Sequence, residues 1–99
     1  MRDFFGGFIK IHILYHAAQG PIYGLEMIEE LRRHGYELSP GTLYPTLHAL
    51  EEAGYLISER RVVRGRMRRY YRITDQGRRV LAVARARIRE LTDEVLLDK

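Results

Sequence analysis

Apolar residues recur every three or four positions through the first half of the chain, which is the spacing of an α-helix. The first such stretch, residues 4–18, is apolar over much of its length and predicts a helix buried on more than one face, ended by Gly20 and Pro21. The second, residues 22–34, carries charge opposite an apolar stripe, and Gly35 suits its C-terminus. The stripe consists of Leu25, Ile28 and Leu31.

The third helix has the clearest start signal in the chain. Ser39 suits the N-cap and Pro40 the first helical position, while Gly54 suits the end. Pro45 falls inside the helix, where its missing N–H predicts a local irregularity. The buried stripe is expected to be formed by Leu43, Leu47 and Leu50.

Beyond residue 54 the pattern changes from helical to alternating. Two segments rich in β-branched and aromatic residues, 55–63 and 67–74, flank Arg64-Gly65-Arg66 and predict a β-hairpin. Alternation puts Arg68 and Arg69 on opposite faces of the second strand, so one of them must face the body of the protein. Thr74 or Asp75 then caps a last helix that runs to about residue 97.

The last helix carries apolar residues at the spacing of a short heptad seam, with charged residues around it. The helix could pack on its own domain, but a subunit interface is favoured because the core of so short a chain is small. Two residues of the first helix, Phe5 and Phe8, are expected to join this interface. The seam residues are Leu81, Ala84, Ile88, Leu91 and Val95.

The order of elements predicts a mainly α fold with a small β-hairpin. Residues 22–34 and 39–53 are joined by a short loop, as in a helix-turn-helix, and a hairpin directly after such a pair makes a winged helix. We therefore predict a winged helix-turn-helix domain over residues 1–74 and a C-terminal dimerisation helix over residues 75–99.

Composition narrows the class of protein. The chain has 99 residues, enough for one domain, and contains no cysteine, which excludes a disulfide scaffold and a cysteine-rich zinc site. Its start does not resemble a signal peptide, and no apolar run approaches the ~20 residues of a membrane span. A cytoplasmic protein without a membrane partner is expected.

Positive charge is concentrated in one segment. The net charge of +4 divides into −3 over residues 1–58, +7 over residues 59–79 and zero over residues 80–99. Residues 60–72 hold seven arginines and no acid. Such a block argues for an anionic partner, and arginines on a hairpin suit DNA phosphates or a narrow minor groove. A solvated charged hairpin is the simpler interpretation, but like charges without acids repel one another.

The outward face of the third helix is the candidate DNA-reading surface, because recognition helices present their N-terminal residues to the major groove. Tyr44 could bind a phosphate or be a partly buried structural residue, and His48 could touch a base or be merely solvated. Residues at the helix N-terminus favour phosphate. The candidate DNA-binding residues are Tyr23, Ser39, Gly41, Thr42, Tyr44, Pro45, His48, Arg64, Arg66 and Arg68.

Three stretches together resemble the PadR family of bacterial transcriptional regulators, over roughly residues 9–82: YGLEMIEEL, SPGTLYPTLHALEEAGYL and RGRMRRYYRITDQGRRVL. The resemblance implies a winged helix-turn-helix with a dimerisation helix, usually a repressor on a palindromic operator. Met67 stands where the family often has proline, and the single C-terminal helix resembles the short PadR subgroup. Carried onto matching positions, the family pattern supports contacts from Tyr23, Thr42, Tyr44, Arg64 and Arg66.

Catalysis and metal binding have weak support. His12 and His16 are four residues apart, a spacing that can ligate zinc, but the glutamate of H-E-x-x-H is missing and no third ligand is evident. They are interpreted as ordinary interface histidines, and we expect no enzyme, no metal and no cofactor.

Two further possibilities concern ligands. A small aromatic or hydrophobic effector could occupy an apolar dimer cavity, although a filled interface is the simpler interpretation. The alternative function is non-specific nucleic-acid binding by a small basic protein, architectural or RNA-binding. The residues that could line the effector cavity are Phe4, Phe5, Phe8, His12 and Tyr15.

Overall fold

The computed structural model describes residues 4–98, which form four helices around one side of a small antiparallel sheet. The predicted mainly α winged-helix fold is confirmed. Within these residues no helix has the length and apolar character needed to cross a membrane. The elements in chain order are α1 (Gly6–Ala17), β1 (Ile22–Tyr23), α2 (Gly24–Arg33), α3 (Pro40–Glu52), β2 (Leu56–Val63), β3 (Arg66–Ile73) and α4 (Asp75–Val95).

The core lies where α1, α2 and α3 pack together against the sheet. The first two turns of α4 also reach it, because Gly77 and Leu81 are buried there. Beyond Leu81, α4 extends away from the rest of the protein. The longest dimension of the described chain, including α4, is 54 Å. The most deeply buried side chains are Ile13, Met27, Leu31, Leu43, Leu47 and Leu56.

The apolar face of α2 differs from the predicted one. Leu25 is 61 % exposed, whereas Met27 is buried together with Ile28 and Leu31. The cause is β1, a two-residue strand that pairs Ile22 with Tyr71 of β3 and so delays the start of the helix to Gly24. Two residues cannot show an alternating pattern, so the sequence contains no local signal for this strand.

The predicted start and stripe of α3 are confirmed. Ser39 is the N-cap residue and the three leucines are buried, although the Ser39 hydroxyl makes no capping bond to the backbone in the described structure. The prediction of a local irregularity at Pro45 was wrong, since α3 runs through this residue without a break. Proline removes only one backbone hydrogen bond of the helix, and burial of Leu43 and Leu47 on either side stabilises α3 at this point.

The predicted hairpin is confirmed, with a two-residue turn. Val63 pairs with Arg66, so Arg64 and Gly65 alone make the connection. Both have positive φ angles, 53° and 79°, as a type I′ turn requires. Glycine tolerates this conformation, but arginine rarely adopts it. The hairpin β2–β3 is called the wing below.

Thr74 anchors α4 to the end of α3. Its hydroxyl accepts a hydrogen bond from the Gly77 N–H at 3.0 Å and donates to the Gly54 carbonyl at 2.6 Å. The helix start approaches the backbone so closely that a Cβ at position 77 would overlap the Tyr55 carbonyl and lie 2.7 Å from Ile73. The glycine of the Asp-x-Gly helix start is therefore required by packing.

Replacing Gly77 by Ala should destabilise the protein by about 1–3 kcal/mol, because the new methyl group meets backbone that cannot move aside. Alanine is intrinsically the better helix former by ~1 kcal/mol, so the expected sign opposes helix propensity. Urea unfolding of the two proteins measures the difference. Gly7→Ala in α1 is the matched control, since a Cβ there meets open space and should be neutral or mildly stabilising. A stability gain at both positions would contradict this packing argument.

Candidate nucleic-acid interface

The outward face of α3 presents the predicted polar residues near the helix start. Ser39, Gly41, Pro45 and His48 are exposed, and Thr42 is half-buried. The Thr42 N–H donates to the Ser39 carbonyl at 3.0 Å, which shapes the first turn. His48 lies nearly two turns further on, with its Nε2 3.4 Å from a carboxylate oxygen of Glu52.

Tyr44 joins α3 to the start of α2. Its side chain is 41 % exposed, yet its ring lies so close to Gly24 that a Cβ at position 24 would overlap it. The two interpretations of Tyr44 are therefore compatible, since one edge packs and the rest faces solvent. Sequence reasoning missed Gly24, because only the folded contact shows why a side chain is excluded there.

Tyrosines and arginines alternate on the outer face of the sheet. The Tyr23 and Tyr70 rings meet edge to face with centroids 5.4 Å apart. The guanidinium of Arg68 lies 4.1 Å from the Tyr23 ring centroid, and that of Arg61 lies 4.8 Å from the Tyr70 centroid. These cation–π contacts hold Arg68 half-buried against the sheet, so it is less available to DNA than the arginines of the turn.

The opposite face of the wing lies on the side of α3. Ser58 of β2 donates from its N–H and its hydroxyl to the Glu51 carboxylate of α3, at 3.0 and 2.7 Å. Burial raises the pKa of the neighbouring Tyr71 above its usual value, and nearby Arg69 offsets part of this effect. Arg60 and Arg69 pair across the strands on this same face. Both are exposed. Arg60 was missed as a candidate, and Arg69 was left open against Arg68, because the sequence does not tell which face looks toward α3.

The turn of the wing carries two uncompensated charges. Arg64 and Arg66 are exposed, and neither forms an ion pair within residues 4–98. Arg61 differs, because it binds the Glu59 carboxylate and this hydrogen bond lowers the pKa of Glu59. The expectation that no acid compensates the arginine block was therefore wrong at this one position. Arg64 also holds the positive φ angle of the turn, a conformation that favours glycine or asparagine, and such strain commonly marks a functional site.

The seam of α4 is largely uncovered in the single chain. Leu81 is buried and Ala84 half-buried, but Ile88 and Leu91 are 38 % and 44 % exposed, and Val95 is exposed as well. A helix of 21 residues is about 31 Å long, so most of it extends past the body.

The first helix contributes to the same surface. Phe8 is exposed beside α4, and Phe5 stacks on it with ring centroids 5.9 Å apart. Phe8, His12 and Tyr15 line a cavity of about 580 Å³ that also involves Leu81 and Ile88 of α4. The remaining residues predicted for an effector cavity lie elsewhere: Phe5 lines a smaller cavity at the other end of α1, and Phe4 is exposed and packs on Phe5.

This arrangement of helix pair, wing and long terminal helix has counterparts among known proteins. The profile of the Transcriptional regulator PadR-like family matches residues 13–83. The chain belongs to the PadR-like family. Both the family and the relative described next are named as transcriptional regulators, and the resemblance found in the sequence is confirmed.

Individual PadR-like proteins match over nearly the whole chain. Transcriptional regulator Rv3488 of Mycobacterium tuberculosis is 53 % identical over 96 residues, which cover 97 % of this chain and 90 % of the relative. The crystal structure of a PadR family regulator from Eggerthella lenta superposes with a TM-score of 0.82 at 34 % identity, covering 94 % of this chain and 82 % of that one. A PadR-like regulator from Bacillus cereus gives a TM-score of 0.84 at 27 % identity, covering 94 % and 92 %.

Proposed function

We propose that this PadR-like regulator is a repressor that binds a palindromic DNA operator as a homodimer. The observation that carries the proposal is the pairing of two surfaces: an α3 start with exposed polar residues, and a wing turn whose arginines have no acidic partners among residues 4–98. The first surface has the chemistry to read base edges, and the second has the charge to bind the backbone.

The start of α3 would enter the major groove. Thr42 and His48 would contact base edges, while Ser39 and Gly41 lie at the helix N-terminus, where phosphates bind favourably. Tyr44 and Tyr23 would donate their hydroxyls to the backbone of the DNA. Pro45 is exposed on the same face and offers an apolar contact.

The wing would supply affinity. Arg64 and Arg66 project from the turn and would contact phosphates or the minor groove. Arg68 is the weaker contact in this group, because its guanidinium already lies on the Tyr23 ring. Arg60 and Arg69 join the proposal, since they are exposed on the wing face that adjoins α3.

A second copy of the chain would cover the α4 seam. The uncovered apolar side chains of α4 and α1 suit a self-complementary interface, and two-fold symmetry in the protein matches two-fold symmetry in an operator. The interface residues would be Phe5, Phe8, Leu81, Ala84, Ile88, Leu91 and Val95.

A small hydrophobic effector would act at the cavity between α1 and α4. Its volume of about 580 Å³ falls within the range of small-molecule sites, and Phe8, Tyr15 and Leu81 give it apolar walls. Because residues of α4 line the cavity, an effector bound there would change how the two subunits pack against each other. The dimer would then dissociate from the operator.

Thr42→Ala should change the preference among operator variants while leaving the salt dependence of binding nearly unchanged. A bidentate base-edge contact is worth about 1–3 kcal/mol, and the single hydroxyl of Thr42 is expected at the lower end, so the affinity ratio between operator variants at the contacted base pair should shrink by roughly 5-fold. The measurement is the affinity for duplexes selected from a random pool and for their single-base variants. Thr42→Ser keeps the hydroxyl and is the matched control, with most of the preference retained. An unaltered preference in Thr42→Ala would favour the non-specific nucleic-acid-binding alternative.

A further inference from the structure

Three of the four histidines in the chain converge at one place. His12 and His16 lie one turn apart on α1, and His34 is the C-cap residue of α2. The His12 and His34 rings stack with centroids 4.6 Å apart, and the His16 and His34 centroids are 6.5 Å apart. One ring nitrogen from each of the three lies within 4.8 Å of the others.

A carboxylate completes the cluster. One oxygen of Glu30 is 3.5 Å from Nε2 of His16 and 3.4 Å from Nε2 of His34. Neighbouring ligand atoms around a tetrahedral zinc ion, with bonds of about 2.0–2.1 Å, are separated by about 3.4 Å. These two contacts therefore already have the edge length of a tetrahedral coordination sphere. A ring nitrogen of His12 lies within 4.8 Å of those of His16 and His34.

The absence of a third ligand was the reason for interpreting His12 and His16 as ordinary interface residues. That reason no longer holds, because His34 and Glu30 come from a different helix and arrive only through folding. The cluster also has access to solvent: the His34 side chain is 44 % exposed, and the other two histidines are half-buried at the wall of the cavity between α1 and α4.

We propose that His12, His16, His34 and Glu30 form a binding site for a divalent first-row transition ion, for which Zn²⁺ is the best fit. Three imidazoles and one carboxylate are ligands suited to zinc and its neighbours, whereas magnesium and calcium prefer sites made of oxygen alone. The ion would link the middle of α1 to the C-terminal end of α2.

The test is a titration of the purified, chelator-treated full chain with Zn²⁺ by calorimetry, and with Co²⁺ by visible absorption. We expect one ion per chain and the intense visible bands of tetrahedral cobalt. His34→Ala should weaken binding by roughly 100-fold or more, and Glu30→Gln by at least about 10-fold, since removing even a group that only supports a metal ligand costs about 10–100-fold. His16→Ala should resemble His34→Ala if it folds, and the more exposed His34 keeps the test valid if it does not.

His48→Ala is the matched control. His48 forms a similar His–Glu contact with Glu52 at 3.4 Å, but it lies on α3 outside the cluster. Its loss should leave zinc affinity and the cobalt spectrum unchanged. The proposal is overturned if the wild-type chain shows no saturable binding of one ion, if a folded His34→Ala variant binds as tightly as wild type, or if His48→Ala abolishes binding.

Discussion

Replacing Ile88 and Leu91 by Asp should convert the protein from a dimer to a monomer. Both side chains are partly exposed on α4 of the single chain, and both follow Leu81 at heptad spacing. In the proposed dimer a second copy covers them, so the variant would bury unpaired carboxylates at a cost of several kcal/mol per subunit. In the monomer the same carboxylates stay in water, which leaves the fold intact.

Sedimentation velocity measures the change in mass, and a binding isotherm measures the accompanying loss of cooperative operator binding. Ala82→Asp combined with Ala86→Asp is the matched control, because both alanines are exposed on α4 outside the seam. This control adds the same charge to the same helix and should remain dimeric. A dimer that survives Ile88→Asp and Leu91→Asp would show that the subunits meet elsewhere.

Sequence reasoning succeeded where the signal is local. The Ser39-Pro40 start of α3, its three leucines and the Thr74 cap of α4 each depend on residues within a few positions of one another. The turn at Gly65 is of the same kind, because a glycine between two alternating segments is itself the hairpin signal. Such features can be predicted from one sequence, since the chain within one or two turns determines them.

Sequence reasoning failed where residues distant in the chain meet. Helical spacing assigned Leu25 to the core, and this was wrong. The cause is the pairing of β1 with β3, almost fifty residues later, which shifts the start of α2. His34 was not recognised as a neighbour of His12, since its place depends on how α2 packs against α1. The packing of Tyr44 on Gly24 is a contact of the same type.

The candidate site shows the same division. The sequence located the arginine block and the exposed polar face of α3, which are properties of composition and period. It could not decide between Arg68 and Arg69, because the answer depends on which face of the wing adjoins α3. The contact between Ser58 and Glu51 decides this, and it places Arg69 on the α3 side and Arg68 against Tyr23.

Changing Arg64 and Arg66 together to Ala should strongly flatten the salt dependence of DNA binding. Both guanidiniums are exposed and lack ion-pair partners within residues 4–98, so a phosphate would be their first strong counter-charge. The double variant removes four charges from a dimer. If all four meet phosphate, the slope of log K against log salt should decrease by about 0.9 × 4, or about 3.6.

The preference among operator variants should change little in the same protein, because backbone contacts carry affinity without sequence information. Affinities for two operator variants across a salt series give both quantities. Arg87→Ala with Arg89→Ala removes an equal charge from α4, far along the chain from the wing, and should keep the wild-type slope as long as sedimentation shows a dimer. If the wing variant also keeps that slope, the arginines do not meet DNA. The strained turn at Arg64 would then serve some other anion, and the proposed function would depend on α3 alone.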